Sequence, residues 1–195
     1  MQAPWEHAPD SPGTRLHWRF RVGISSLTRP TKLTREDGTT VALLGPPRIG
    51  SGRLITADGV TFECSSLQPY VKRWLGGDPH FRNDREVVRV PSKSVLFRTS
   101  GGHYDGRAET VVTFPDSRSY GFPVSSGSRD HAVMRCMDEQ GTTVAHYRYG
   151  TRDQNVGRHI EIAISDGHDL TDELVCVMAL SPTFLLSYFG RPSGG

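Results

Sequence analysis

Leu174-Val175-Cys176-Val177-Met178-Ala179-Leu180-Ser181-Pro182-Thr183-Phe184-Leu185-Leu186-Ser187-Tyr188-Phe189 carries no charge anywhere along its length. Just before it stand Asp169, Thr171, Asp172 and Glu173. Such residues cap the free N–H groups of a first helical turn and complement the positive end of its dipole. The spacing predicts a helix over about residues 171–189, apolar around its whole circumference. A helix with no polar face must be surrounded by protein or by lipid. Its uncharged run is about sixteen residues, short of the roughly twenty needed to cross a bilayer. Ser181, Pro182, Thr183 and Ser187 weaken the membrane reading further, and a tail-anchored protein is kept as an alternative. A β-sheet rolled into a barrel around the helix satisfies it on every side. Pro182 would leave a carbonyl of the preceding turn without its N–H partner, so the interior must satisfy that group by other means.

The chain upstream has the pattern to supply such a sheet. Leu16, Trp18, Phe20, Val22 and Ile24 alternate with His17, Arg19, Arg21 and Gly23, the period-two pattern of a strand with one face in a core. Further short runs follow at residues 41–44, 52–56, 60–63, 86–90, 94–99, 108–114, 118–124, 131–137, 142–149 and 158–164, with Asp-Gly, Gly-Gly and Pro-Asp turn chemistry between them. About eleven candidate strands with little helix between them predict a mainly β fold, a closed antiparallel barrel of about twelve strands around the C-terminal helix. One helical interruption is expected over residues 65–75, where Leu67, Val71, Trp74 and Leu75 share a face and Gly76-Gly77 supplies a stop. Asp37-Gly38-Thr39-Thr40-Val41-Ala42 is echoed by Gln140-Gly141-Thr142-Thr143-Val144-Ala145; the flanks do not repeat, so two hairpins converging on one turn explain it better than duplication.

At 195 residues the chain fits one domain with a sizeable core, expected over residues 14–190 between a flexible lead-in, 1–13, and a flexible tail, 191–195. Residues 1–13 have neither the basic start nor the apolar stretch of a signal peptide. Cys64, Cys136 and Cys176, odd in number and widely spaced, speak against a disulfide framework and for a reducing, cytoplasmic setting. A formal net charge of +2 lacks the basic excess that phosphate contacts demand of a nucleic-acid-binding protein. Arg19, Arg21, Arg29, Arg53, Arg73 and Arg107 are scattered as on ordinary solvated strands, and only folding can assemble them into a patch.

Val133-Met134-Arg135-Cys136-Met137-Asp138-Glu139-Gln140-Gly141-Thr142-Thr143-Val144-Ala145, then Arg158-His159-Ile160-Glu161-Ile162-Ala163-Ile164 and the apolar terminal helix, resemble the tubby C-terminal-like superfamily, which includes phospholipid scramblases and LURP-one-related proteins. That resemblance, one of order and texture over about two thirds of the chain, implies a twelve-stranded barrel around a hydrophobic C-terminal helix. It also implies lipid binding as a function class, peripheral to a membrane. The scramblase branch implies a calcium site in the acidic segment before the terminal helix. Here that place holds Asp166-Gly167-His168-Asp169 and then Asp172-Glu173, at a different spacing. No lysine-and-arginine lipid site matches residue by residue.

Motifs of catalysis and metal binding are weak. The histidines at 7, 17, 80, 103, 131, 146, 159 and 168 do not stand at zinc-ligand spacing, and Gly50-Ser51-Gly52 lacks the rest of a dinucleotide or phosphate loop. Asp166, Asp169, Asp172 and Glu173 lack the alternation of a calcium loop and suit helix capping better. The cysteines sit in apolar contexts, where thiols are inert packing. No catalytic residue, metal ligand or cofactor is assigned. A non-enzymatic binding module for an anionic lipid headgroup or a protein partner is the leading expectation. The alternative is an enzyme whose site forms only in three dimensions, with His103, Tyr104, Asp105 and Arg107 of a Gly-rich loop as the least poor candidates, although a polar turn explains that loop better.

Overall fold

The computed structural model describes residues 14–20, 30–45, 53–57, 59–66, 84–104, 107–128, 131–150 and 158–184. Its strands are β1 (Arg15–Phe20), β2 (Thr31–Arg35), β3 (Thr40–Leu44), β4 (Arg53–Ala57), β5 (Val60–Ser66), β6 (Arg85–Val90), β7 (Val95–Tyr104), β8 (Arg107–Thr113), β9 (Ser119–Ser128), β10 (His131–Asp138), β11 (Thr143–Gly150) and β12 (Arg158–Ile164). Each pairs antiparallel with its neighbours in sequence, and β1 pairs with β12, closing a twelve-stranded up-and-down barrel with no free edge.

Alternation fills the lumen. Leu16, Leu33, Leu44, Ile55, Phe62, Val87, Phe97, Phe122, Met134, Tyr147, Ile160 and Ile162 are fully buried, and all belong to one core cluster. A barrel of eight strands is filled by its own side chains; twelve leave room for more. That room holds the helix α1 (Asp172–Leu180), whose residues Leu174 to Leu180 are buried on every side. It packs on β3 and β4. On the opposite wall Tyr147 of β11 reaches Met178 and Ser181, and Phe122 of β9 stacks edge-on against Phe184 at 5.4 Å between ring centroids. Contacts to both walls place the helix inside the barrel. Among the described residues no helix is long and apolar enough to cross a membrane.

Thr171 caps α1, its Oγ1 accepting the Leu174 N–H at 3.3 Å. Pro182 stops the regular turns at Leu180. Thr183 then donates its hydroxyl to the Leu180 carbonyl at 2.7 Å, whose regular N–H partner, that of Phe184, bonds to the Ser181 carbonyl instead. Residues 182–184 are helical again, and residues 185–189 of the expected helix lie outside the described residues.

Three expectations are corrected. Ser65 and Ser66 are not helical but close β5, paired with Glu86 and Arg85; residues 67–75 lie outside the described set. β2 is an unforeseen strand, because Thr-Lys-Leu-Thr-Arg offers one apolar side chain, Leu33, and hence no visible alternation. The Gly-rich segment 101–104 continues β7 instead of forming a loop, as Gly101, Gly102, His103 and Tyr104 pair with Thr110, Glu109, Ala108 and Arg107. β1 is described to Phe20, and its expected extension to Ile24, like the lead-in 1–13 and tail 191–195, lies outside the described residues.

The echoed hexapeptides occupy the same turn. Gly38 donates to the Arg35 carbonyl and Gly141 to the Asp138 carbonyl, each at 3.0 Å, with φ of 85° and 79°. The turn from Phe114 to Arg118 repeats this hydrogen bonding with Ser117 at φ 72° and an unrelated sequence. One backbone solution reached from different sequences favours convergence over duplication.

Candidate functional site

Strict up-and-down order sends every second connection to the same end of the barrel. The helix enters at the end that carries the tight turns 35–40, 90–95, 113–119 and 138–143, together with the 164–172 approach. Carboxylates crowd there: Glu36, Asp37, Asp116, Asp138, Asp166 and Asp172 all belong to these turns. Two cations at this end are engaged. Arg15 lies 3.6 Å from Glu161, and Arg118 lies 2.6 Å from Asp116 and 3.0 Å from Glu173 while covering the Phe114 ring. The Arg118 pair holds the Asp116 carboxyl below its ordinary pKa and raises that of Arg118, and it ties the first turn of α1 to the β8–β9 turn. The Thr39 N–H bonded to Asp37 lowers that carboxyl as well.

Among the described residues the opposite end, where the helix arrives at Thr183, is mostly basic. Arg19 lies one residue from the end of β1 and Lys32 one residue into β2, while Arg53, Arg85, Arg107 and Arg158 are the first residues of β4, β6, β8 and β12. His131 opens β10. Asp84 and Glu86 are the acidic residues beside Arg85, and Glu86 is held by Arg98 at 2.7 Å. The charge is densest across β2, β1 and β12, where Arg19 stands directly opposite Lys32 on one side and His159 on the other. Like charges directly opposed across strands destabilise a sheet, so the Arg19–Lys32 pairing is no aid to folding.

Arg85 links this end to the interior. Its guanidinium donates to Thr183 Oγ1 at 3.1 Å. The last turn of α1 carries no basic residue, so the cation complementing the negative end of its dipole comes from the wall.

The remaining candidates do not assemble into chemistry. His103 and Tyr104 end β7, opposite Ala108 and Arg107 that begin β8; Asp105 lies outside the described residues. Asp166 and Asp169 are exposed, the former before a turn at Gly167 (φ 85°) and the latter giving its carbonyl to the Thr171 N–H. Among the described residues no three His, Cys, Asp or Glu are placed to share a metal ion. Cys64, Cys136 and Cys176 are buried free thiols, and burial drives the pKa of Cys136 and Cys176 far up, the reverse of what a nucleophile needs. Comparison of the chain with models of known protein families, with curated proteins and with solved structures finds no match.

Proposed function

We propose that this barrel is a non-enzymatic binding module that takes an anionic ligand at its helix-exit end. The observation that carries the reading is the sorting of charge along the barrel axis: among the described residues, carboxylates fill the turns at one end and basic residues open the strands at the other. Opposite charges so separated give a strong directional field, which steers an anionic partner to one face. The directly opposed Lys32 and Arg19 positions add a reason, since the repulsion between them is relieved when an anion binds. A committed scaffold with a filled lumen leaves its rim and outer wall as the binding surface. The twelve strands and enclosed helix also support membership in the tubby C-terminal-like superfamily, and within that proposal a lipid headgroup at a membrane surface is the natural source of the anion.

Sedimentation with phosphatidylcholine vesicles, with and without about a quarter anionic lipid, tests the function at two salt concentrations. The expected result is binding that requires the anionic lipid, weakens with salt, and is lost in Arg19→Glu/Lys32→Glu but retained in Asp138→Lys/Glu139→Lys. Indifference to lipid charge, or equal loss from both ends, would sink the reading.

A further inference from the structure

We infer that anion binding at the basic end and the seating of the helix inside the barrel draw on the same guanidinium, that of Arg85, so that a bound phosphate loosens the last turn of the helix. This rests on the basic end being the ligand site and adds a regulated element to it.

Three strands reach the mouth through the same short pattern. Arg53 precedes Ile55 by two residues, Arg85 precedes Val87, and Arg158 precedes Ile160; each arginine opens its strand, and each of the three aliphatic residues is fully buried in the lumen. The period of a strand is two, so the three arginines hold the register positions that continue the lumen-facing rows to the rim. For Arg85 the consequence is visible, because its guanidinium meets the helix at Thr183, a residue 8% exposed.

That contact is weak for what it holds. Thr183 Oγ1 is a neutral acceptor that also donates to the Leu180 carbonyl. Among the described residues no carboxylate lies at ion-pair distance from Arg85, whose side chain is half-buried rather than sealed. A phosphate oxygen is a better partner than a hydroxyl for a guanidinium, through charge and through the paired geometry of its donors. An oxyanion at the rim therefore competes for Arg85 and wins. Withdrawing the guanidinium removes both the hydrogen bond to Thr183 and a cation that complements the end of the helix. The turn closed by the Phe184 N–H on the Ser181 carbonyl is then the first part of the helix to open. Its other anchors, the Phe122 ring and the Tyr147 hydroxyl, lie deeper and are untouched.

The test is hydrogen exchange at the Phe184 amide of the full chain, read with inorganic tripolyphosphate and, separately, with phosphatidylcholine vesicles containing phosphatidic acid. Whichever probe binds identifies a free or a lipid phosphate as the source. The inference expects exchange at Phe184 to speed up with the bound probe, against the usual slowing by ligands, while the Val177 and Met178 amides stay protected. Arg85→Gln should lower affinity by about tenfold. Thr183→Val should raise affinity, by freeing Arg85, and Thr183→Ser should leave it unchanged. Slower or unchanged exchange at Phe184 in the bound wild-type chain overturns the coupling even if Thr183→Val fails to fold. Binding that is lost in Arg19→Gln/Lys32→Gln but kept in Arg85→Gln overturns it while leaving the proposed function standing. A wild-type chain that binds neither probe overturns both.

Discussion

Tyr147 is the largest fully buried side chain among the described residues, and its hydroxyl joins the barrel to the helix in surroundings otherwise apolar. It donates to Met178 Sδ and accepts from Ser181 Oγ, each at 2.7 Å, and burial raises its pKa well above 10. Tyr147→Phe deletes this hydroxyl and strands that of Ser181, which is 0% exposed. Leaving a buried donor without its acceptor costs about 1–3 kcal/mol. Ser181→Ala is milder, about 0.5–1.5 kcal/mol, because the Tyr147 hydroxyl keeps Met178. In the double variant neither orphan remains, so its cost should fall short of the sum by about 1 kcal/mol. For a chain of this size each kcal/mol moves Tm by about 2–4 °C, so Tyr147→Phe should lower it by about 2–12 °C. Thermal and urea unfolding of the four proteins measure the cycle. Additivity within about 0.3 kcal/mol would refute the claim that these groups satisfy one another.

Other substitutions separate two uses of glycine. A Cβ at Gly101 would stand 2.3 Å from the Glu109 carbonyl oxygen, at a φ of +124°, whereas one at Gly38, φ +85°, meets nothing within 4 Å. Gly101→Ala should therefore cost more than about 2 kcal/mol and Gly38→Ala about 1 kcal/mol, as urea midpoints will show; equal effects would mean that β7 and β8 are not so close. His146, half-buried and opposite Arg135, has its pKa lowered from 6.5 by burial first and by that cation second. The unfolded chain then binds the proton more tightly, so this contribution to stability is complete above pH 6.5 and is lost as pH falls through the folded pKa. NMR titration should give a midpoint below 6.5, and His146→Gln should flatten the acid-side loss of stability; a midpoint at or above 6.5 would contradict the burial.

Alternation made eleven of the strands legible, since a half-buried strand writes its two faces into successive residues. β2 escaped because Leu33 alone faces the core. Gly101-Gly102 misled for a different reason: the pair looks like a turn, but Gly101 is required by the approach of the Glu109 carbonyl within a continuous strand. Thr171 and the charge-free run announced the helix, while the Thr183 bond to the Leu180 carbonyl depends on a rotamer that no pattern encodes. The basic end was the least visible. Arg19, Lys32, Arg53, Arg85, Arg107 and Arg158 are dispersed in sequence and look like solvated faces, and a net charge of +2 conceals them. Sorting the charges by alternate connections, once an up-and-down barrel is assumed, would have revealed them, because that topology brings every second connection to one end.

The central claim is that the C-terminal helix is the core of the barrel rather than an appendage to it. Leu174, Cys176, Met178, Leu180 and Phe184 are each no more than 5% exposed, and every one of them would leave a gap in a sheet closed around it. Voids of that size are not tolerated in packed interiors. Truncation after Thr171, followed by thermal unfolding monitored by circular dichroism, tests this most directly. The truncated chain should show no cooperative transition and should aggregate through its exposed lumen. A truncated barrel that stays soluble and melts cooperatively at the temperature of the full chain would contradict the account.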